Sequence, residues 1–143
     1  MPTIFSRIIA GEVPGTFVWR DEQCVAFMSI NPIATGHVLV VPILEVDHWL
    51  DLPDGAAEHL TSVARSIGRA QMTAFSPERV GLIVAGFEVP HVHVHVVPMR
   101  TMADISFANA ARSVSPEALQ TAADAIVAQL AASRRADAAR RAR

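Results

Sequence analysis

The sequence contains a single cysteine, no tyrosine and no lysine among its 143 residues. One cysteine excludes an intramolecular disulfide framework and a zinc site built from several thiolates, and it is typical of a reducing compartment. Long apolar runs are also missing, because the longest, residues 38–44, falls far short of the ~20 residues of a membrane span. No charged segment followed by an apolar one opens the chain, so we expect a cytoplasmic protein with no membrane partner.

The composition that remains is that of one folded domain, which we place at residues 1–133. Hydrophobic residues make up 51% of the chain and charged residues 18%, which argues against disorder along its whole length. Residues 134–143 contain five Arg and one Asp, and we predict that this Arg/Ala-rich tail is disordered. The tail carries +4 of an overall charge of −2, which leaves −6 on the domain. An acidic domain argues against a nucleic-acid partner.

Hydrophobic periodicity and capping residues predict an α+β fold. Thr3, followed by apolar residues at positions 4, 5, 8 and 9, indicates a short capped helix. The segment 54–75 lacks proline and has apolar residues at helical spacing, so it predicts a long helix, and Ser115-Pro116 predicts the start of another that ends near residue 132. Short apolar segments predict strands at 16–20, 23–28, 37–41, 80–85 and 92–97. Such strands around a long helix indicate a sheet with helices on one side.

Three histidines alternate with valines in the segment 90–98, PHVHVHVVP. In a strand, His91, His93 and His95 lie on one face, with neighbouring side chains about 6.6–6.8 Å apart. Such a row suits displacement at phosphorus, because one neutral imidazole can attack while its neighbours donate hydrogen bonds to the phosphate and protonate the leaving group. A metal site is the alternative, since His37 could complete a set of imidazole ligands from an adjacent strand.

These residues resemble the histidine-triad motif of the HIT superfamily of nucleotide hydrolases and transferases, most closely the small bacterial Hint-like proteins. The resemblance extends upstream to three blocks in the family's order and spacing: residues 4–14, 27–32 and 36–42. It implies a five-stranded antiparallel sheet with two main helices and an extended C-terminal helix, a homodimer, and no cofactor. It also implies hydrolysis at the α-phosphate of purine nucleotide conjugates, through a covalent nucleotidyl-histidine intermediate.

The resemblance also implies a role for each residue that matches the motif. His93 matches the nucleophile, and His95 matches the histidine that contacts the α-phosphate and supports departure of the leaving group. His91 matches the first triad member, which supports the hydrogen-bond network, and His37 matches a fourth histidine beside the triad. A further group matches the base pocket, with ordinary core packing as the alternative: Ile4, Phe5, Ile8, Phe27 and Leu39.

Five positions depart from the family's pattern. Thr3 and Ser6 stand where many members have a zinc-binding Cys-x-x-Cys, so we expect no structural zinc. Ser29 stands where a carboxylate usually holds the ribose hydroxyls. In a shortened loop before the triad, Ala85 replaces an asparagine, and Glu88 takes the place of a serine that contacts phosphate. A nucleotide-binding regulatory protein with weak turnover is therefore a second hypothesis beside the hydrolase.

Overall fold

The computed structural model describes residues 2–141, which form three α-helices and five β-strands, with three short 3-10 helices between them. The α-helices are α1 (Ile4–Ile9), α2 (Asp54–Phe75) and α3 (Pro116–Arg141). The strands are β1 (Phe17–Arg20), β2 (Cys24–Met28), β3 (Val38–Pro42), β4 (Arg79–Ile83) and β5 (Val94–Met99). The 3-10 helices are Trp49–Asp51, Met102–Ile105 and Phe107–Asn109.

The five strands form one antiparallel sheet in the order β1-β2-β3-β5-β4. This confirms the predicted fold class, an α+β fold with a five-stranded antiparallel sheet and two main helices, of which the second is the extended C-terminal helix. β5 is paired on both sides, and His95 lies opposite Leu39 of β3 and Ile83 of β4. None of the helices within residues 2–141 has the length and apolar composition needed to cross a membrane.

The two faces of the sheet carry two separate apolar clusters. On one face, α2 and α3 pack on strand residues such as Val38, Val40 and Val96. On the other face, Phe5 and Ile8 of α1 pack on a smaller strand cluster: Val25, Phe27, Leu39 and Val41. Because side chains alternate along a strand, the histidines that alternate with the core valines must share the α1 face.

Helix α3 is longer than the sequence predicted. It continues through Arg141, whereas the apolar pattern predicted an end near residue 132. Ala and Arg are among the best helix formers, and neither Gly nor Pro follows Pro116 to stop the helix. The Arg134 guanidinium also lies 5.0 Å from the centre of the Trp19 ring, which ties the extension to β1. The predicted disorder of residues 134–143 is therefore corrected to helix as far as Arg141, and residues 142 and 143 lie outside the described residues.

Candidate active site

The three histidines lie close together, but only His95 is part of a strand. β5 begins at Val94 instead of the predicted residue 92, because the Val92 N–H donates to Val46 O, outside the sheet. The alternation still holds, since Val92 and Val94 belong to the core cluster under α2 while the histidines lie on the α1 face. The ring centres of His93 and His95 are 4.9 Å apart, closer than the ~6.6–6.8 Å expected for a regular strand.

His93 is held in the tautomer that a nucleophile requires. Its Nδ1 lies 2.7 Å from the backbone carbonyl oxygen of His91, and a carbonyl can only accept. In the neutral ring Nδ1 therefore carries the proton, and Nε2 keeps a free lone pair. The Phe5 ring packs on His93 in an edge-to-face arrangement, with 4.9 Å between ring centres, and fixes the imidazole plane from the side of α1.

His37 and His95 form a hydrogen-bonded pair in which the donor and the acceptor are also defined. The Ile33 N–H donates to His37 Nδ1 at 3.0 Å, so the proton of a neutral His37 is on Nε2. This Nε2–H donates to His95 Nδ1 at 2.9 Å, which leaves the His95 proton on Nε2. The pair thus ends in an N–H group that can donate to a phosphate oxygen or to a leaving group.

Burial keeps both members of this pair neutral. It lowers the pKa of His37 to about 4. Burial also lowers the pKa of His95 to about 3, with smaller contributions from repulsion by His37 and His93. Because the two rings are uncharged at neutral pH, each offers one donor and one acceptor, as the hydrogen-bonded pair requires.

His91 lies before β5, beside the end of β3, and supports His93. Its Nε2 donates to the Pro42 carbonyl at 2.8 Å, and its Nδ1 lies 2.7 Å from the Thr3 hydroxyl. Burial lowers the pKa of His91 as well, so the ring is neutral and Nδ1 is an acceptor. The backbone carbonyl of the same residue is the group that holds the His93 proton.

Gln71 of α2 holds the backbone on both sides of the His37–His95 pair, and sequence reasoning missed it. Its fully buried Nε2 donates to the carbonyls of Gly36 and Val96, both at 2.9 Å. Gly36 has a positive φ of 91°, and a Cβ there would lie 2.3 Å from the Phe75 ring, so only glycine fits. The signal in the sequence that could have identified Gln71 is its position four residues after Ile67, which places a polar side chain on the apolar face of α2.

Phe107 closes the remaining side of His95, and no motif pointed to it. The ring centres are 4.8 Å apart in an edge-to-face arrangement. Phe107 belongs to the 3-10 helix Phe107–Asn109. The residues that follow this helix are held against the β2–β3 loop by the Asn31 side chain, whose Nδ2 lies within hydrogen-bond distance of the carbonyls of Ala111 and Arg112, at 3.2 and 2.9 Å. His95 is therefore enclosed by His37, His93 and Phe107.

A small cavity of about 40 Å³ borders His93, between the loop after β3 and the loop after β4. Ala85 lines it, as does His48, which was not predicted as a site residue. Glu88 is exposed on the shortened loop and does not line this cavity. Ser29 lines a separate cavity of about 370 Å³ between the β2–β3 loop and α3, which none of the triad histidines borders.

The predicted base-pocket residues lie on the histidine face of the sheet. Four of them form one buried cluster: Phe5, Ile8, Phe27 and Leu39. Phe5 contacts both Phe27, at 5.5 Å between ring centres, and His93, so the cluster borders His93 directly. Ile4 is 41% exposed and lies outside this packing.

The residues at the Cys-x-x-Cys positions do not fit a zinc ion. Hydroxyls are poor substitutes for thiolates, and the Thr3 hydroxyl is already bonded to the His91 nitrogen that a metal would need.

Within residues 2–141, the one group of three ligand atoms within 4.8 Å of each other comes from Asp21, Cys24 and His59. It lies on the side of α2, where His59 bonds Asp21 at 2.7 Å and burial raises the pKa of Cys24 to about 12. The histidine row supplies no such group.

Comparisons with known proteins agree with the geometry. A protein-family model described as the HIT domain matches residues 10–102, a range that includes all five strands and the four histidines of the site. Protein hit of Bacillus subtilis (strain 168) is 31% identical over 140 residues, covering 91% of this chain and 95% of that protein. The purine nucleoside phosphoramidase of Escherichia coli (strain K12) is 31% identical over 112 residues, covering 70% and 89%. Among solved structures, a Hit-like protein involved in cell-cycle regulation from Bartonella henselae matches with a TM-score of 0.79 at 26% identity, covering 89% and 95%.

Proposed function

The chain belongs to the HIT family, and from this we propose that it is a hydrolase that cleaves nucleoside monophosphate esters or phosphoramidates through a covalent nucleotidyl-His93 intermediate. The observation that carries the proposal is the hydrogen bond from His93 Nδ1–H to the His91 carbonyl, because in the neutral ring it places the lone pair on Nε2, the nitrogen that attacks. A purine nucleoside phosphoramidase among the relatives supports purine nucleotide conjugates as the substrate class.

The chemistry proceeds in two displacements at the α-phosphorus. His93 Nε2 forms a bond to phosphorus while the bond to the leaving nitrogen or oxygen breaks. The His95 Nε2–H donates to the leaving atom or a phosphate oxygen. As the substrate binds, the anionic phosphate favours uptake of one solvent proton by the His37–His95 pair, and His95 Nε2 passes one proton to the departing group. Water then attacks phosphorus while the bond between phosphorus and His93 Nε2 breaks, and the proton that the water loses returns to solvent through His95. This releases the nucleoside monophosphate with net retention of configuration at phosphorus.

Substrate binding is proposed on the α1 side of the histidines. The buried cluster around Phe5 and Phe27, together with the exposed Ile4, would contact the base. Ser29 is proposed as the ribose contact, although its Oγ now accepts a hydrogen bond from the Asn31 N–H at 3.2 Å. Loss of that bond would have to accompany ribose binding.

We also propose a cytoplasmic homodimer. β4 is an edge strand of the sheet, so its outer backbone groups can pair with another strand. Leu82 of β4 and the loop residue Phe87, which is 96% exposed, each offer an apolar side chain that a second copy would cover. Sedimentation of the purified protein tests this assignment, and a monomer at micromolar concentration would contradict it.

Turnover of a fluorogenic adenosine 5′-phosphoramidate tests the function. We expect hydrolysis that is unchanged within twofold by a chelator, because the mechanism uses histidine and no metal. Binding of the same nucleotide without turnover would instead favour a regulatory protein. Loss of activity in the chelator, restored by a divalent metal, would favour the metal-dependent alternative.

Replacing Glu88 tests whether the departure in the shortened loop affects phosphate binding. If the carboxylate faces the bound phosphate, Glu88→Ser removes a repulsion and tightens binding of a nucleoside monophosphate near pH 7. Because Glu88 is exposed, solvent and salt screen this repulsion, and we expect a gain of only about threefold. Titration calorimetry of both proteins at pH 7 measures the difference, and equal affinities would remove Glu88 from the site.

A further inference from the structure

Thr3, at the start of α1, contacts the first histidine of the triad. Its Oγ1 lies 2.7 Å from His91 Nδ1, between residues 88 positions apart in the chain. Since His91 Nε2 already donates to the Pro42 carbonyl, Nδ1 of the neutral ring is an acceptor and the Thr3 hydroxyl donates to it. The two bonds hold the buried ring at both of its nitrogens.

Other contacts leave the Thr3 hydroxyl proton free for His91. The Ser6 N–H donates to Thr3 Oγ1 at 3.1 Å and occupies one of its lone pairs. Ser6 Oγ lies 3.4 Å from Thr3 Oγ1 but 2.7 Å from Glu45 Oε1, so the Ser6 hydroxyl donates to the carboxylate. The nearest acceptor for the Thr3 proton is then His91 Nδ1.

The exposed side chain of Glu45, in the loop after β3, forms hydrogen bonds with the start of α1. Its Oε1 accepts from the Thr3 backbone N–H at 2.8 Å as well as from the Ser6 hydroxyl. These bonds, the Thr3 bond first, lower the pKa of Glu45, so the carboxylate is ionised at neutral pH. One carboxylate oxygen therefore fixes the first turn of α1 against the loop that follows the Pro42 carbonyl.

We propose that Glu45 and Thr3 are positioning residues for the His93 nucleophile. Glu45 orients Thr3, Thr3 orients the His91 ring, and the His91 carbonyl holds the proton on His93 Nδ1 at 2.7 Å. The inference rests on the proposed hydrolase, in which His93 Nε2 attacks phosphorus. Neither positioning residue hydrogen-bonds His93, so each acts on its orientation and tautomer through His91.

Two substitutions at Thr3 separate this role from helix capping. Thr3→Gly removes the hydroxyl, and glycine remains acceptable at an N-cap, so α1 keeps most of its stability. We expect kcat for the adenosine phosphoramidate to fall about tenfold with KM unchanged within twofold, since misorientation of a reacting group lowers the rate of the chemical step. Thr3→Ser restores a hydroxyl and should return kcat to within twofold of the wild type.

Glu45→Ala should lower kcat about fivefold by releasing Thr3 and Ser6. Its matched control is Glu58→Ala, which removes an exposed carboxylate on α2 and should leave kcat unchanged. The double variant Thr3→Gly/Glu45→Ala should be no slower than Thr3→Gly alone, because both residues act through His91. A double variant whose loss equals the product of the single losses would contradict this shared path.

Nitrogen-15 spectra of the histidine side chains provide a readout that does not need turnover. We expect the wild-type His93 ring to be the Nδ1–H tautomer, and Thr3→Gly and Glu45→Ala to increase its Nε2–H fraction. Absence of turnover in the wild type would contradict the proposed function and leave this measurement intact. The positioning role would be overturned if both variants kept the wild-type His93 spectrum and, in case the wild type shows turnover, also kept its kcat.

Discussion

Replacing His93 with alanine should lower turnover of the adenosine phosphoramidate by roughly 10³–10⁶-fold, the size of effect seen when a covalent nucleophile is removed. The ring is only 2% exposed and packs against Phe5 and His95, so His93→Ala also leaves a cavity. His93→Asn is the better variant, because its side-chain amide can still donate to the His91 carbonyl. We expect it to fold and to be equally inactive.

The measurement is kcat for both variants, with thermal unfolding as the control for folding. Trapping during wild-type turnover should yield a peptide that contains His93 and carries one nucleoside monophosphate, and neither variant should yield it. Turnover within tenfold of the wild type in folded His93→Asn, or an adduct on His91 or His95 instead, would contradict the assignment of His93 as the nucleophile.

The sequence predicted the elements of the fold well because each carries a local signal. Thr3 at the cap of α1 and the long apolar stripe of α2 reproduce the observed helices, and α2 has the predicted bounds, 54–75. The ends of β5 and α3 were missed for different reasons. β5 is shortened by a hydrogen bond to the distant Val46, and α3 is extended by residues whose helix propensity outweighs their lack of an apolar pattern.

The candidate site could be predicted as far as its residue types, but not its hydrogen bonds. The alternation of His91, His93 and His95 with valine placed the rings on one face, which is a local property of the backbone. The partner that fixes the His93 tautomer, the His91 carbonyl, is also local. The partners that fix the tautomers of His91 and His37 come from elsewhere in the chain: Thr3, Ile33 and Pro42. Phe107 approaches from the other side, after β5. No sequence periodicity encodes such contacts, because they depend on how distant elements pack.

Neutral, buried histidines make the protein less stable in acid. Burial lowers the pKa of His37 to about 4, while a histidine in the unfolded chain titrates near its ordinary value of 6.5. Below pH 6.5 the unfolded chain therefore binds a proton that the folded protein does not, so the free energy of unfolding falls as the pH falls toward 4. At pH 4.5 the loss from this one residue is roughly 2–3 kcal/mol, at about 1.4 kcal/mol per pH unit. The lowered pKa of His95 adds a loss of the same sign.

His37→Gln should reduce this acid sensitivity. Glutamine can accept from the Ile33 N–H and donate to His95, but it does not titrate, so the unfolded variant gains no proton at this position. We expect the variant to be less stable than the wild type at pH 7 and the gap to shrink by roughly 2–3 kcal/mol at pH 4.5. Urea unfolding at pH 7, 6, 5 and 4.5 measures the change. His48→Gln, at an exposed histidine, is the control and should preserve the wild-type dependence. If both variants lose stability in acid as steeply as the wild type, burial of His37 is not what sets the pH dependence.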